Sequence, residues 1–225
     1  MKSLLKEAFK TSLPVMAAYW FIGMGYGLYA HGAGAAWWFP LATAAFVYTG
    51  SVEFLLAAAA TGAFSAVDTF AMAFLVGARH IFYSVAMLER FAGVPWRKRF
   101  FMIYLLSDET FAVTLPKPAA MPGFATFQLA VSAMDWTYWV TGTLAGVLLA
   151  GFLDPSLLKG ADFIMTAMFA AIFAENWCNE RNHSASCIGL AAGLGALVLF
   201  GADAFMIPAM LAILALLAAA RRHLP

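Results

Sequence analysis

Apolar residues along this chain come in long runs, broken at a few places by polar ones. Eight apolar segments stand out, at 13–30, 37–60, 67–91, 100–115, 127–152, 161–174, 188–200 and 204–220. None alternates apolar and polar residues as a membrane barrel strand would. A run of about 20 apolar residues predicts a bilayer-crossing helix, because backbone groups in lipid must be satisfied within the segment itself. The predicted fold is therefore all-α, a polytopic transmembrane helical bundle of about six to eight membrane segments forming one transporter-like domain over residues 1–225. Segments 100–115 and 161–174 are short for a full crossing, and some segments are expected to be broken or re-entrant.

Composition narrows the picture. Of 225 residues, 64% are hydrophobic and 11% charged, and the mean hydropathy is +0.82. A soluble domain is usually about 45–50% apolar and about a quarter charged. The net charge of +1 and the lack of a basic stripe give no nucleic-acid signal. No Walker loop and no His-Glu-x-x-His motif occurs, and no cofactor is expected. Cys178, His183 and Cys187 do not define a metal site. A loop disulfide or free thiols are the expected states of the two cysteines. Lys2, Lys6 and Lys10 precede the first apolar segment, which has no obvious cleavage site and reads as a retained helix.

Charge placement conflicts with a simple count of crossings. The N-terminal lysines, the loop 89–99 with Arg90, Arg97, Lys98 and Arg99, and Arg221 with Arg222 should all face the cytoplasm. Three full crossings would put 89–99 on the opposite side. A segment between 37 and 91 that fails to cross would repair the count, and the fourth segment is a second candidate.

Glycines add a possible internal repeat. Tyr19-Trp20-Phe21-Ile22-Gly23, with Gly27 and Gly32, matches Tyr138-Trp139-Val140-Thr141-Gly142, with Gly146 and Gly151. Gly23/Gly27, Gly142/Gly146 and Gly189/Gly193 are each four apart, the spacing that lets another backbone approach closely. The expectation is tight helix packing, within the chain or with a partner.

Polar groups inside apolar segments carry the candidate chemistry. Glu53, Arg79, His80, Asp108, Glu109 and Asp135 all sit there. Unpaired, the five besides His80 would cost on the order of 15 kcal/mol, so they must pair, face water or bind something. One arginine against four carboxylates leaves an interior that needs protons, a bound cation or water. Tyr48, Thr49, Gly50 and Ser51 form a place for a helix to break and offer its backbone to a ligand. Arg79 has a fork that matches a carboxylate, with His80 beside it and Tyr83 one turn on. Ser107 or Asp108 can cap a short helix whose dipole favours the acids. Asp135 shares a face with Trp139, and Phe82, Phe111 and Trp139 would suit an aliphatic side chain.

These residues resemble the AzlC/YgaZ family, the large subunit of branched-chain amino acid exporters. The resemblance rests on Pro14, Gly23 and Gly27; on Val47-Tyr48-Thr49-Gly50-Ser51 with Phe54; on Ala78-Arg79-His80 with Tyr83; and on Ser107-Asp108-Glu109-Thr110-Phe111. It implies proton-coupled export of valine, leucine, isoleucine or methionine across a bacterial cytoplasmic (inner) membrane. It also implies a small AzlD/YgaH-type membrane subunit as partner. Two features depart from the family pattern: Glu53, where glutamine is common, and the polar stretch 176–186 with its cysteines. The alternatives are a membrane-embedded enzyme using Asp108, Glu109 and His80, and a non-transporting sensor or assembly subunit.

Overall fold

Long apolar stretches without breakers become long helices, and the polar interruptions become helix ends. The computed structural model describes residues 2–62, 64–77, 79–118, 121–153, 162–179, 183–201 and 205–220. Within them are the helices α1 (Lys2–Gly32), α2 (Trp38–Phe46), α3 (Gly50–Ala60), α4 (Ala66–Gly77), α5 (Arg79–Ala86), α6 (Trp96–Tyr104), α7 (Asp108–Thr114), α8 (Phe124–Phe152), α9 (Asp162–Asn179), α10 (Ser184–Phe200) and α11 (Met206–Ala220). No strand occurs among the described residues. The second and fourth apolar segments each divide into two helices. The polar stretch expected to form a loop at 176–186 is largely helical, because α9 continues to Asn179 and α10 begins at Ser184.

The frame is a seam between α1 and α8, built on the two repeated glycine motifs. A Cβ on Gly23 would lie 2.9 Å from the Trp139 carbonyl oxygen, and one on Gly142 2.9 Å from that of Trp20. Side chains at Gly27 and Gly146 would run into the backbones of Thr143 and Met24. These contacts are reciprocal when the two motifs are exchanged, so the repeat packs against itself about a local two-fold. Because Gly23 meets Trp139 while the later Gly27 meets Thr143 and Val147, the helices run parallel. The third glycine pair behaves differently, since nothing lies within 4 Å of a Cβ at Gly189 or Gly193.

Two helical hairpins enter this frame from opposite ends. The first is α2–α3. Thr43 on α2 meets the Tyr26 hydroxyl at 2.6 Å, and the Trp136 indole donates to the Ala45 carbonyl at 3.1 Å. Thus α2 runs back along α1 from its C-terminal end to mid-length. The chain then reverses at 47–49, and Phe54, Ala57 and Ala58 on α3 pack on Tyr26, Tyr29 and Ala30. The second hairpin is α6–α7. The Tyr104 hydroxyl at the end of α6 donates to the carbonyls of Ala45 and Phe46, 3.0 Å each. After a reversal at 105–107, α7 returns to where Lys117 pairs with Glu7 at 2.8 Å. Both hairpin tips therefore meet at mid-height of the seam.

This arrangement explains the charge conflict. Arg90 donates to the Lys117 carbonyl, Lys117 pairs with Glu7 of α1, and Lys98 donates to Thr126 at the start of α8. The basic loop 89–99 thus shares an end with the N-terminus. Only α4–α5 returns the chain the full distance between the parallel α1 and α8. Arg221 and Arg222 lie outside the described residues.

Among the described residues, no helix is long and apolar enough to cross a membrane by itself. Helices α1 and α8 span about 45 Å at 1.5 Å per residue, but each carries a polar face that lowers its hydropathy. The outer surface is apolar: Phe152 is 87% exposed and Val198 84%.

Candidate functional site

Where the hairpin tips meet, the structure forms a partly open cavity of about 830 Å³. Sequence reasoning placed Tyr48, Thr49, Gly50, Ser51, His80, Tyr83, Asp108 and Glu109 among the candidates, and all eight line it. The rest of the wall is mostly apolar, with Phe21, Ile22, Phe54, Trp139, Phe163 and Ala167 contributing.

The first tip is strained and leaves its helix start without a side-chain cap. Tyr48 has φ of +48°, the sole positive value among described non-glycine residues. Such a conformation costs on the order of 1–3 kcal/mol and persists only when its surroundings hold it. Here Val15, Tyr19, Ala44 and Trp139 pack around the Tyr48 ring. Thr49 is the N-cap of α3 but its side chain makes no capping bond, donating instead to the Val47 carbonyl at 3.3 Å. A helix cannot satisfy its first-turn N–H groups internally, so this start of α3 suits an anionic group in the cavity. Gly50 is needed because a Cβ there would lie 2.9 Å from the Trp139 ring.

Glu53, one turn into α3, is fully buried. The Trp139 indole donates to both carboxyl oxygens at 3.0 Å. Trp139 in turn stands edge-on to Tyr19, with centroids 5.4 Å apart, and stacks near Tyr26 at 6.5 Å. Glu53 therefore sits behind the cavity wall and acts on it through Trp139.

The second tip is internally bonded. Ser107 caps α7 by accepting from the Thr110 backbone N–H at 3.1 Å, and its hydroxyl also donates to Thr110 Oγ1 at 3.0 Å. Glu109 accepts from the Tyr19 hydroxyl at 2.5 Å. Asp108 lies 3.9 Å from His80 Nε2. His80 Nδ1 is 3.2 Å from the Gly77 carbonyl, and the ring stands edge-on to Tyr83 at 6.0 Å. Tyr83 stacks on Phe111 at 4.7 Å. The cavity thus carries two carboxylates on one side and a helix start on the other.

Besides Glu53, one described candidate lies off the wall. Asp135 is fully buried beneath it, where Thr110 Oγ1 donates to its Oδ2 at 2.7 Å. The backbone of Arg79 opens α5, but its side chain lies outside the described residues, as does that of Phe82. Cys178 and Cys187 are free and exposed, which corrects the disulfide option. No cluster of three metal-ligating His, Cys, Asp or Glu residues occurs among the described residues.

Sequence reasoning missed Tyr19 and Thr110 as site residues. Tyr19 read only as part of a glycine repeat and Thr110 only as one residue of the Ser107–Phe111 motif, and the tertiary pairing with Glu109 and Asp135 gives them their roles. The Tyr19 motif was visible as a repeat, without a hint of its partner.

The AzlC protein family model matches residues 14–153, which include α1 from Pro14 onward, both hairpins and the whole of α8. The chain is 34% identical over 221 residues to the branched-chain amino acid transport protein AzlC of Bacillus subtilis (strain 168), covering 97% of this chain and 86% of that one. It is 35% identical over 209 residues to an uncharacterized membrane protein of Haemophilus influenzae, covering 92% and 85% respectively. An uncharacterized membrane protein of Helicobacter pylori strain J99 is 29% identical over 214 residues, 94% of this chain. No solved structure matches. The family and these relatives point to a transport protein rather than an enzyme, and the chain belongs to the AzlC family.

Proposed function

We propose that this chain is the large subunit of a secondary exporter for branched-chain or other small apolar amino acids, proton-coupled and resident in the bacterial cytoplasmic (inner) membrane. The observation that carries the reading is an inverted distribution of polarity. Glu53, Asp135, Gln128 and Thr110 are fully buried, while large apolar side chains such as Phe46, Phe70, Phe152 and Val198 face outward. Water would penalise that arrangement and lipid favours it. The relative named for branched-chain amino acid transport supports the substrate class.

On this reading α2–α3 and α6–α7 are re-entrant hairpins, which non-continuous helices at membrane depth permit when they line a cavity in the protein. The start of α3 and the guanidinium fork of Arg79 receive the substrate carboxylate. Asp108 and Glu109 receive the ammonium group. An aliphatic side chain lies against Phe54, Trp139 and Phe163. Acids of the interior carry the coupling proton, and alternating access moves one hairpin tip against the other. A small AzlD/YgaH-type subunit completes the assembly.

The test is efflux from cells loaded with leucine-, valine- or methionine-containing dipeptides, expressing this chain with and without the small membrane protein. Faster efflux that collapses with the proton gradient, and that falls at least tenfold in Glu109→Gln, is the expected result. Unchanged efflux of every amino acid, with both proteins verified in the membrane, rejects the reading.

A further inference from the structure

One row of buried polar side chains has no place in the substrate cavity. Gln128, Ser132 and Asp135 follow one another at four and three residues along α8, so they share one helix face. All three are fully buried. Both polar atoms of Gln128, the Ser132 hydroxyl and Asp135 Oδ1 have no hydrogen-bond partner within the described protein. Buried polar atoms are rarely left so, since each costs about 1–3 kcal/mol without a partner. A run of them is best explained as the lining of an ordered water file.

The row has two ends of different character. Its inner end is Asp135, tied to Thr110 of α7, with Glu109 close enough to interact with it electrostatically. Tyr48 from the first hairpin faces the same place, buried, its hydroxyl without a well-formed hydrogen bond. Tyr19 of α1 reaches it through Glu109. From Asp135 the row descends along α8 toward Phe124, and α7 runs beside it in the opposite sense with Thr110 and Thr114, both fully buried. Gln128 is only about 6 Å along the axis from the first residue of α8. There the charged groups are Arg90, Lys98, Lys117 and Glu7. The row thus joins the cavity's acids to the end of the molecule that carries the N-terminus.

We propose that Gln128, Ser132 and Asp135, with Thr110 and Thr114 opposite, line a water-filled proton path between Glu109 and the N-terminal face, separate from the route of the solute. The proposal rests on the proton-coupled reading above and assigns its route. Protons pass along water and hydroxyl groups with no net chemistry, and Asp135 is the relay nearest the cavity.

The test uses purified protein, with its small subunit, in liposomes holding a pH-sensitive dye. Two rates are measured: leucine-driven proton movement, and leucine exchange at equal concentrations and equal pH, which needs no net proton transfer. Gln128→Leu keeps the volume and removes the polar atoms. The expected result is at least a tenfold loss of proton movement with exchange within twofold of the parent. Parental proton movement in Gln128→Leu overturns the path while leaving coupling intact. Absence of leucine-driven proton movement in the parent overturns both. Should Gln128→Leu lose exchange as well, Ser132→Cys in a Cys178→Ser, Cys187→Ser background decides. Its thiol should react with a small cationic methanethiosulfonate added from the N-terminal side, and an unreactive thiol overturns the proposal.

Discussion

The two hairpins have the same outline and opposite polar economies. The tip of α2–α3 is held by packing: Tyr48 is strained, Thr49 makes no cap, and the start of α3 faces the cavity. The tip of α6–α7 is held by hydrogen bonds: Ser107 caps its own helix, Glu109 is latched to α1 through Tyr19, and Thr110 is latched to α8 through Asp135. A tip that spends its donors internally can hold charged side chains in fixed positions. A tip whose helix start lines the cavity can bind a solute there. Binding and charge placement are thus divided between the two hairpins, and either can move only against the helices that hold it.

The largest effect should come from removing the frame that both hairpins lean on. Leu at Gly27 or Gly146 forces α1 and α8 apart at backbone contact, and should cost more than about 3 kcal/mol, above the usual range for overpacking. The expected readout is loss of monodisperse protein in detergent. Gly189→Leu, where open space surrounds the position, should leave the isolated chain folded. Equal behaviour of the three variants would break the account of the seam.

A smaller effect should follow from unlatching the second hairpin. Thr110→Val keeps the shape and strips Asp135 of its donor, which should cost about 1–3 kcal/mol. Thermal unfolding followed by tryptophan fluorescence would show a lowered Tm, and an unchanged Tm would mean that the latch is not holding α7.

The finest test compares the two caps. Ser107→Ala should lose about 1 kcal/mol, the usual value of an N-cap. Thr49→Ala should change stability by less than about 0.5 kcal/mol, because its hydroxyl caps nothing. If the two variants unfold alike, the division between a bonded tip and an open tip fails.

Much of this was legible beforehand. Apolar run length predicts helices, and polar residues inside those runs mark the interior, since lipid tolerates neither exposed backbone nor idle charge. The charge conflict at 89–99 already called for a segment between 37 and 91 that turns back, and α2–α3 reverses at 47–49. Eight of the eleven candidate residues fall on one cavity for that reason. The stretch 176–186 misled only in its bounds, because α9 runs on to Asn179 and α10 begins at Ser184.

What the sequence determined by itself is composition and period: an all-α chain with an apolar exterior, broken helices at Tyr48–Ser51 and near Ser107, and glycines spaced for close contact. What the tertiary structure decided is partnership. Gly23/Gly27 and Gly142/Gly146 found each other, whereas the same spacing at Gly189/Gly193 found nothing within the described chain. Tyr19 became the partner of Glu109, and Trp139 the partner of Glu53, across 90 and 86 residues of chain. Such pairings depend on helix direction and depth, which no local pattern encodes, because a hydrogen bond is set by where two side chains arrive rather than by what either one is.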